Sequence, residues 1–282
     1  MIRLALFLAF CLSACAPRQG TADLRIGTTG ERDRPVPAAP SGPTEPAVLR
    51  ASTDAPSETP LRTPRHLKTS LAGISIQAIT FDARSHRLVV ADQPSGPASL
   101  WPDARAAGRA LNGLAAVNGG FFTPEGQPLG RVVASGKSTG SINRASSLGS
   151  GFYVEKNDRP ALVRRQGFSG GSQALQAGPF LVENDRTVPG LGTKVSSART
   201  FIATDGRHGW ILARTGACSL ADLATALTGA TIGGIRLRSA LNLDGGRSSE
   251  IWASGALPGG PAFTRPLWNK PVRNFLVLKS RH

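Results

Sequence analysis

A carboxylate, a guanidinium and two hydroxyls fall within the six residues Asp244-Gly245-Gly246-Arg247-Ser248-Ser249. The apolar strand-like run Leu241-Asn242-Leu243 delivers Asp244 to a glycine turn, so a base, a cation and backbone N–H groups stand close together. That combination can hold a phosphate and still offer a proton acceptor. The same six residues also fit an Asp-Gly hairpin turn in which Asp244 caps its own backbone. Three other segments have chemical content. In Val117-Asn118-Gly119-Gly120-Phe121-Phe122 a strand ends on an amide that both donates and accepts, followed by glycines that let backbone approach a ligand closely. Gln176-Ala177-Gly178-Pro179-Phe180-Leu181-Val182 reads as rigid backbone entering a strand. Arg199 leads the otherwise apolar run after Ser197-Ala198, where a charge must be paired or face a cleft, either as a structural ion pair or as an anion clamp.

The elements that must position these residues are short strands and few helices. Alternation over 73–79 and the run Leu88-Val89-Val90-Ala91 predict a hairpin around Arg84-Ser85-His86. Further strands are expected over 114–117, 129–134, 151–155, 161–163, 200–203, 210–213, 241–243 and 274–278. Helices are expected over 102–111 and 219–227, the second with Ser219 as N-cap and Asp222 three residues on, the spacing of a capping box. Strands dominate without regular strand-helix alternation, which argues against a doubly wound parallel sheet. The expected class is α+β, a single domain of largely antiparallel sheets flanked by a few helices.

The chain of 282 residues carries 33 basic against 18 acidic side chains, a formal charge of +15. Within 67–282 the balance is 25 to 12, with 19 of the 25 being Arg. Arginine presents a donor fork suited to phosphate or carboxylate, so an acidic partner is favoured, although Arg also serves as an ordinary solvated residue. Nucleic acid is not the expected partner, because its binding surfaces interleave basic residues with exposed aromatics and aromatics are only 6% of this chain. Three Cys are too few for a disulfide scaffold.

At the start, Arg3, the apolar run 4–10 and Leu12-Ser13-Ala14-Cys15 resemble the signal and lipobox of a bacterial lipoprotein, with Cys15 as the lipidated residue. Residues 16–66 hold nine of the 21 Pro and no sustained apolar period, the composition of a disordered linker. The expected organisation is therefore a signal peptide over 1–15, a Pro-rich tether over 16–66 and a folded domain over 67–282. Such a protein would be lipid-anchored in the bacterial envelope, at the periplasmic face of the outer membrane. Cys218 would then be the remaining thiol, read as a small buried apolar residue.

Taken in order, the chemistry-bearing segments resemble the phosphodiester glycosidase family. The resemblance runs through Asn118-Gly119-Gly120-Phe121-Phe122, Leu129-Gly130 with Val132-Val133, Ala198-Arg199-Thr200 with Asp205 after it, Leu241-Asn242-Leu243-Asp244-Gly245-Gly246 with Ser248, and the closing stretch 265–278. One departure is Arg247, where the animal enzyme of the family has a third glycine. The resemblance implies a hydrolase that cleaves a sugar-1-phosphodiester or related glycan bond. A phosphate monoester is already a weak base, so its departure needs charge neutralisation more than protonation. Arg199 is expected to do this with Arg247 as helper, and Asp244 to activate water or stabilise an oxocarbenium-like sugar. Asn118, in the catalytic set with Arg199 and Asp244, is expected to orient the substrate together with the Gly119 and Gly120 amides, and Thr200, Gly245, Gly246, Arg247 and Ser248 to bind it. Glu250 and Asp205 are secondary carboxylates. No cofactor is required. A divalent ion such as Ca²⁺ could use Asp244, Asn118 and carbonyl groups, although no known metal-binding spacing is present. The competing reading is a noncatalytic envelope lipoprotein that holds a glycan or anionic polymer in the same cleft.

Overall fold

The computed structural model describes residues 62–281. The Cys15 lipobox, the signal segment and nearly all of the tether lie outside them. The first strand, Arg65–Leu71, begins before the expected domain boundary at 67, and Arg62 is already tied to the domain through Nη1 to the Gly234 carbonyl at 2.6 Å. The folded unit therefore reaches back at least to Arg62.

Three antiparallel sheets and two α-helices form the domain's main layers among the described residues. A seven-stranded sheet runs in spatial order Arg65–Leu71, Ile74–Asp82, Gly209–Cys218, Ser197–Thr204, Ser239–Asn242, Phe180–Glu183, Arg186–Thr187. A five-stranded sheet is built from Ala262–Thr264, Ile251–Ala253, Ala115–Asn118, Asn274–Ser280 and His86–Asp92. A second five-stranded sheet contains Val132–Ala134, Gln173–Ala177 and Gly151–Lys156. The α+β expectation thus resolves to a mostly antiparallel β fold.

The period-2 pattern of the strands explains the layering. On the large sheet, Trp210, Leu212, Ile79, Ile202 and Leu241 face a central core shared with Val117, Ile251, Leu276 and Leu278 of the second sheet and Tyr153 and Leu175 of the third. The opposite face of the large sheet, with Ile211, Ala213 and Phe201, is covered by Leu223, Ala224 and Leu227 of the helix Leu220–Leu227. Ser219 caps that helix as expected, its hydroxyl accepting from Asp222 N at 3.1 Å. The outer face of the second sheet packs on the helix Ala104–Ala110, where Gly108 leaves room for the Trp252 ring. Cys218 is buried, as its apolar reading implied.

The hairpin expected around Arg84 does not form. Ile74–Asp82 pairs with Arg65–Leu71 and Gly209–Cys218, whereas His86–Asp92 pairs with Asn274–Ser280 in the other sheet. The Asp82 carboxylate takes the Arg84 backbone N–H at 2.9 Å and the Arg84 Nε at 3.0 Å, fixing a tight corner that changes sheets. Alternation revealed both strands, but strand pairing depends on contacts distant in sequence.

Candidate active site

Four strand ends meet at one edge of the central core: Ala115–Asn118, Ser197–Thr204, Ser239–Asn242 and Ile251–Ala253. Asn118 is their junction. It is fully buried, its Nδ2 donates to the Asp244 carbonyl at 2.6 Å, and its Oδ1 accepts from Thr200 Oγ1 at 2.7 Å and from Glu250 N at 3.0 Å. Since the Thr200 proton goes to Asn118, Ser249 donates its own to Thr200 across 2.8 Å. Thr200 and Ser249 are also fully buried. Asn118 and Thr200 therefore hold the Asp244 turn in place and do not face solvent. With Asn118 Oδ1 taken by two donors, the side-chain pair imagined for Ca²⁺ is not offered to a ligand. Among the described residues, no three His, Cys, Asp or Glu side chains come together as a metal cluster.

The glycines after Asn118 are likewise structural. Gly119 N donates to the Asn274 carbonyl and Gly120 N to Asn274 Oδ1, both at 2.8 Å. A Cβ at Gly119 would collide with the Asn274 side chain, and one at Gly120 would stand 2.9 Å from the Gln176 carbonyl oxygen. These positions are glycine because protein backbone and side chains approach them closely.

Asp244 is partly buried, and its backbone N–H donates to the Gly119 carbonyl at 3.0 Å. Burial pushes its carboxyl up to about 6, against the opposing pull of hydrogen bonds from the Ser248 side chain and the Gly245 N–H. Gly245 lies against strand Ser197–Thr204, where a Cβ would stand 2.9 Å from the Ala198 carbonyl oxygen. Gly246 has φ +58°, a left-handed backbone that favours glycine, and opens into space. The amide N–H groups of Gly246 and Arg247 find no acceptor among the described residues.

Beside this turn is a cavity of about 590 Å³ lined by Ser197, Ala198, Arg214, Gly246, Arg247, Pro266, Leu267 and Trp268. Asp244 is not itself in the lining but stands two residues behind Gly246. Arg214 was not singled out by the sequence. It sits opposite Thr200 and Gln77 in the middle of its strand Gly209–Cys218, its Nε donating to the Ser249 carbonyl at 3.1 Å and its Nη1 to the Thr215 carbonyl at 3.3 Å. Burial pulls its pKa down, which marks a cation with reduced hydration. Its signal was a charged residue ending the apolar run Trp210 to Ala213. Arg199 is placed differently. A β-bulge between Ala198 and Thr200 frees it from the ladder, and its guanidinium donates from Nε to the Cys218 carbonyl at 3.1 Å and from Nη2 to the Val195 carbonyl at 2.6 Å. It lines a separate cavity of about 400 Å³ with residues 191–195 and Leu220. Burial lowers its pKa, with Cys218 acting in the opposite direction. None of the ion pairs among the described residues involves Arg199, Arg214 or Arg247.

Neither secondary carboxylate joins this cavity. Asp205 closes the hairpin turn at the other end of strand Ser197–Thr204, its Oδ1 accepting from Arg207 N at 2.8 Å and Gly209 N at 3.0 Å. Glu250 is 1% exposed beneath the helix Ala104–Ala110. Burial pushes its carboxyl up to about 8, with Asp103 adding to the rise and the Ala104 N–H and Arg265 opposing it. At neutral pH it is a neutral acid.

A strand-end Asp-Gly-Gly turn held by a buried asparagine, beside a cavity whose arginines lack carboxylate partners, is the candidate active site of this fold. Residues 112–279, more than half of the chain, match the family model described as phosphodiester glycosidase. The chain belongs to that family. Its fold is similar to the catalytic domain of the zebrafish N-acetylglucosamine-1-phosphodiester alpha-N-acetylglucosaminidase, a structure described as auto-inhibited by its pro-peptide. That match has a TM-score of 0.57 and 19% identity and covers 80% of this chain and 85% of the other. A hypothetical protein from Synechocystis is also similar, with a TM-score of 0.52, 18% identity and coverage of 80% and 64%. At these identities the likeness is one of fold. No curated protein matches the chain.

Proposed function

We propose that this protein hydrolyses the glycosidic bond of a sugar-1-phosphodiester or a closely related glycan in the bacterial cell envelope. The observation that carries the proposal is the cavity beside the Asp244 turn, where Arg214 and Arg247 stand without an acidic partner next to Gly246. Arg214 takes the phosphate-neutralising role first expected of Arg199, with Arg247 and the Gly246 and Arg247 amides assisting. Asp244, raised to about 6, is ionised at neutral pH yet more basic than an ordinary carboxylate, which suits it to accept a proton from water. Water bonds to the anomeric carbon, its proton passes to Asp244, and the C–O bond breaks with its electron pair leaving on the phosphate monoester. Arg214 balances the charge that gathers on that group. Asn118 and Thr200 are positioning residues that fix the turn, and Ser248 orients the Asp244 carboxyl.

The organisation into a signal over 1–15, a tether over 16–66 and the catalytic unit belongs to the same proposal, with Cys15 lipidated and the domain held at the periplasmic face of the outer membrane. The mass of the mature N-terminal peptide checks this: an acylated Cys15 is expected, and an unmodified N-terminus elsewhere overturns the anchor. For the catalytic reading, the full chain is incubated with N-acetylglucosamine-1-phosphate diesters and cell-wall fragments, and release of reducing sugar is measured. Release by the wild type but not by Asp244→Asn is expected. Tight binding without release would favour a noncatalytic glycan-binding lipoprotein, a reading supported by the absence of Asp244 from the cavity lining.

A further inference from the structure

The end of the large sheet away from the Asp244 turn is strongly basic. Three adjoining depressions cross it, of about 550, 640 and 260 Å³. The first shares Asp158 and Arg281 with the second, and Pro160, Gly206 and Arg207 with the third. Their linings hold seven Arg or Lys side chains and one carboxylate, Asp158. Buried acids behind the surface offset part of this charge. Asp82 accepts from Arg84, and Glu155 lies 3.1 Å from Arg281 and 3.5 Å from Arg87. Arg159, Arg207 and Lys279 enter no ion pair among the described residues, and Arg238 comes only to 4.0 Å from Asp185. Arg159 opens the strand Arg159–Arg164 and Arg207 sits in the turn between Thr204 and Gly209, both exposed.

The chain enters the domain at this same end. Arg62 N donates to Asp82 Oδ2 at 3.3 Å, directly before the Ala83 and Arg84 that line the first depression. The Arg62 guanidinium is tied to Gly234, so the entry point is fixed on both sides. Exposed large apolar side chains lie elsewhere: Leu100, Leu129, Val195, Leu267 and Trp268 are absent from all three linings. Val195 stands beside Arg199, and Leu267 and Trp268 beside Arg247, at the Asp244 end.

Going beyond the hydrolase reading and independent of it, we propose that this basic end docks on a membrane surface of anionic phospholipid head groups, with the Asp244 turn directed away from it. Cations carried on several separate turns suit a spread-out negative surface, whereas a site for one anion would draw its donors to a point. With no large apolar side chain exposed there, the contact is electrostatic and nothing inserts. A membrane is favoured over a dissolved polyanion because the segment that carries Cys15 joins the domain beside Asp82. An anchored chain therefore holds this end nearest the leaflet and raises its local concentration there. The eight residues of Ser197–Thr204 separate the two ends by about 26 Å at ~3.3 Å per residue, well beyond a Debye length of about 8 Å. Docking thus leaves the Asp244 turn outside the field of the leaflet and open to substrate.

The full chain, carrying Cys15→Ser so that no acyl group contributes, is co-sedimented with vesicles of phosphatidylcholine alone or with about 30% phosphatidylglycerol. Binding should be at least about tenfold tighter to the anionic vesicles and should fall away between about 0.1 and 0.5 M salt. Each cation near such a surface contributes about fivefold, so Arg159→Glu with Arg207→Glu should weaken binding by roughly twentyfold or more. Lys194→Glu with Lys270→Glu makes the same change in net charge at the Asp244 end and should weaken it by about threefold at most. All four side chains are exposed, so melting curves should match the wild type; if the Arg159 and Arg207 pair melts early, Arg159→Gln with Arg207→Gln repeats the comparison. Equal losses from the two pairs, or no preference for anionic vesicles, overturn the docking face. Binding to soluble polyphosphate with none to vesicles gives the face to a dissolved polymer and overturns it too. Brominated lipid in the anionic vesicles should leave indole emission unquenched, because the exposed Trp268 lies at the far end. Quenching would mean that the Trp268 tip inserts, which reverses the proposed orientation.

Discussion

Asp205 and Asp244 each follow a strand of the same seven-stranded sheet, and each precedes a glycine, yet they sit at opposite ends of it and in opposite circumstances. Asp205 takes partners from within four residues of itself: its N–H donates to the Gly209 carbonyl and its carboxylate accepts from Arg207 and Gly209. Everything that holds it is local, and it is a hairpin turn. Asp244 is held by residues more than a hundred positions away, with Asn118 Nδ2 on its carbonyl and the Gly119 carbonyl on its N–H. Its carboxyl is half-buried and raised to about 6 by that burial. An Asp-Gly pair in sequence thus encodes either a local turn or a carboxylate fixed by distant parts of the chain, and long-range packing decides which.

The sharpest way to break the comparison is to make the same substitution at both ends. Asp244→Asn removes the proton acceptor and should lower kcat by roughly 10² or more while substrate binding survives. Asp205→Asn should leave kcat within about twofold and cost about 1 kcal/mol of stability through its turn hydrogen bonds. The pH profile sharpens this further. If Asp244 works as a carboxylate, wild-type kcat/KM rises as pH increases through about 6, and that limb is missing from any residual activity of Asp244→Asn. Equal losses at the two positions would remove the distinction.

The same division between local and distant determinants governs what could be read from the sequence. The Ser219 capping box, the strand at Gly151, the motif glycines and the family resemblance were legible because their signals lie within a few residues or in a fixed motif order. The partner of each strand was not, so the Arg84 corner read as a hairpin. Nor was the bulge beside Thr200, which turns Arg199 onto the Val195 and Cys218 carbonyls and leaves Arg214 on the cavity wall. Asn118 and the glycines after it were recognised as important, but their role is to hold the turn: nothing in Asn-Gly-Gly says that Asn274 will occupy the space over Gly119.

Arg199 and Arg214 offer the next test, smaller in effect. Arg214→Lys keeps a charge but loses the donor fork, so the inhibition constant of inorganic phosphate should rise about tenfold and kcat/KM should fall by at least as much. Arg199→Lys surrenders donors to two carbonyls and should lower stability by roughly 1–3 kcal/mol, with phosphate inhibition of the folded enzyme unaltered. Melting curves and inhibition measured on the same samples separate the two arginines. A phosphate response that follows Arg199 instead would return the anion site to the smaller cavity.

The smallest expected effect contrasts Asp244 with its neighbour in sequence, Glu250. Both carboxyls are raised by burial, but Glu250, at about 8, is sealed beside Asp103 and stays protonated where Asp244 is ionised. A carboxyl whose folded pKa lies above its unfolded value holds its proton more tightly in the native state. Its favourable contribution is complete below about 4.5 and is lost as pH rises through about 8. Asp244 has finished titrating by the upper half of that range, so the slope between pH 7 and 8.5 belongs to Glu250. In that window wild-type stability should decline by about 1 kcal/mol per pH unit, or 2–4 °C in Tm for a domain of this size. Glu250→Gln replaces the protonated acid with a neutral group of the same shape, so its Tm should stay level there. Calorimetry at pH 7.0, 7.75 and 8.5 reads the difference. A wild-type curve as flat as the variant's would mean that Glu250 is already ionised beneath its helix, making it a second charged carboxylate close to the Asp244 turn.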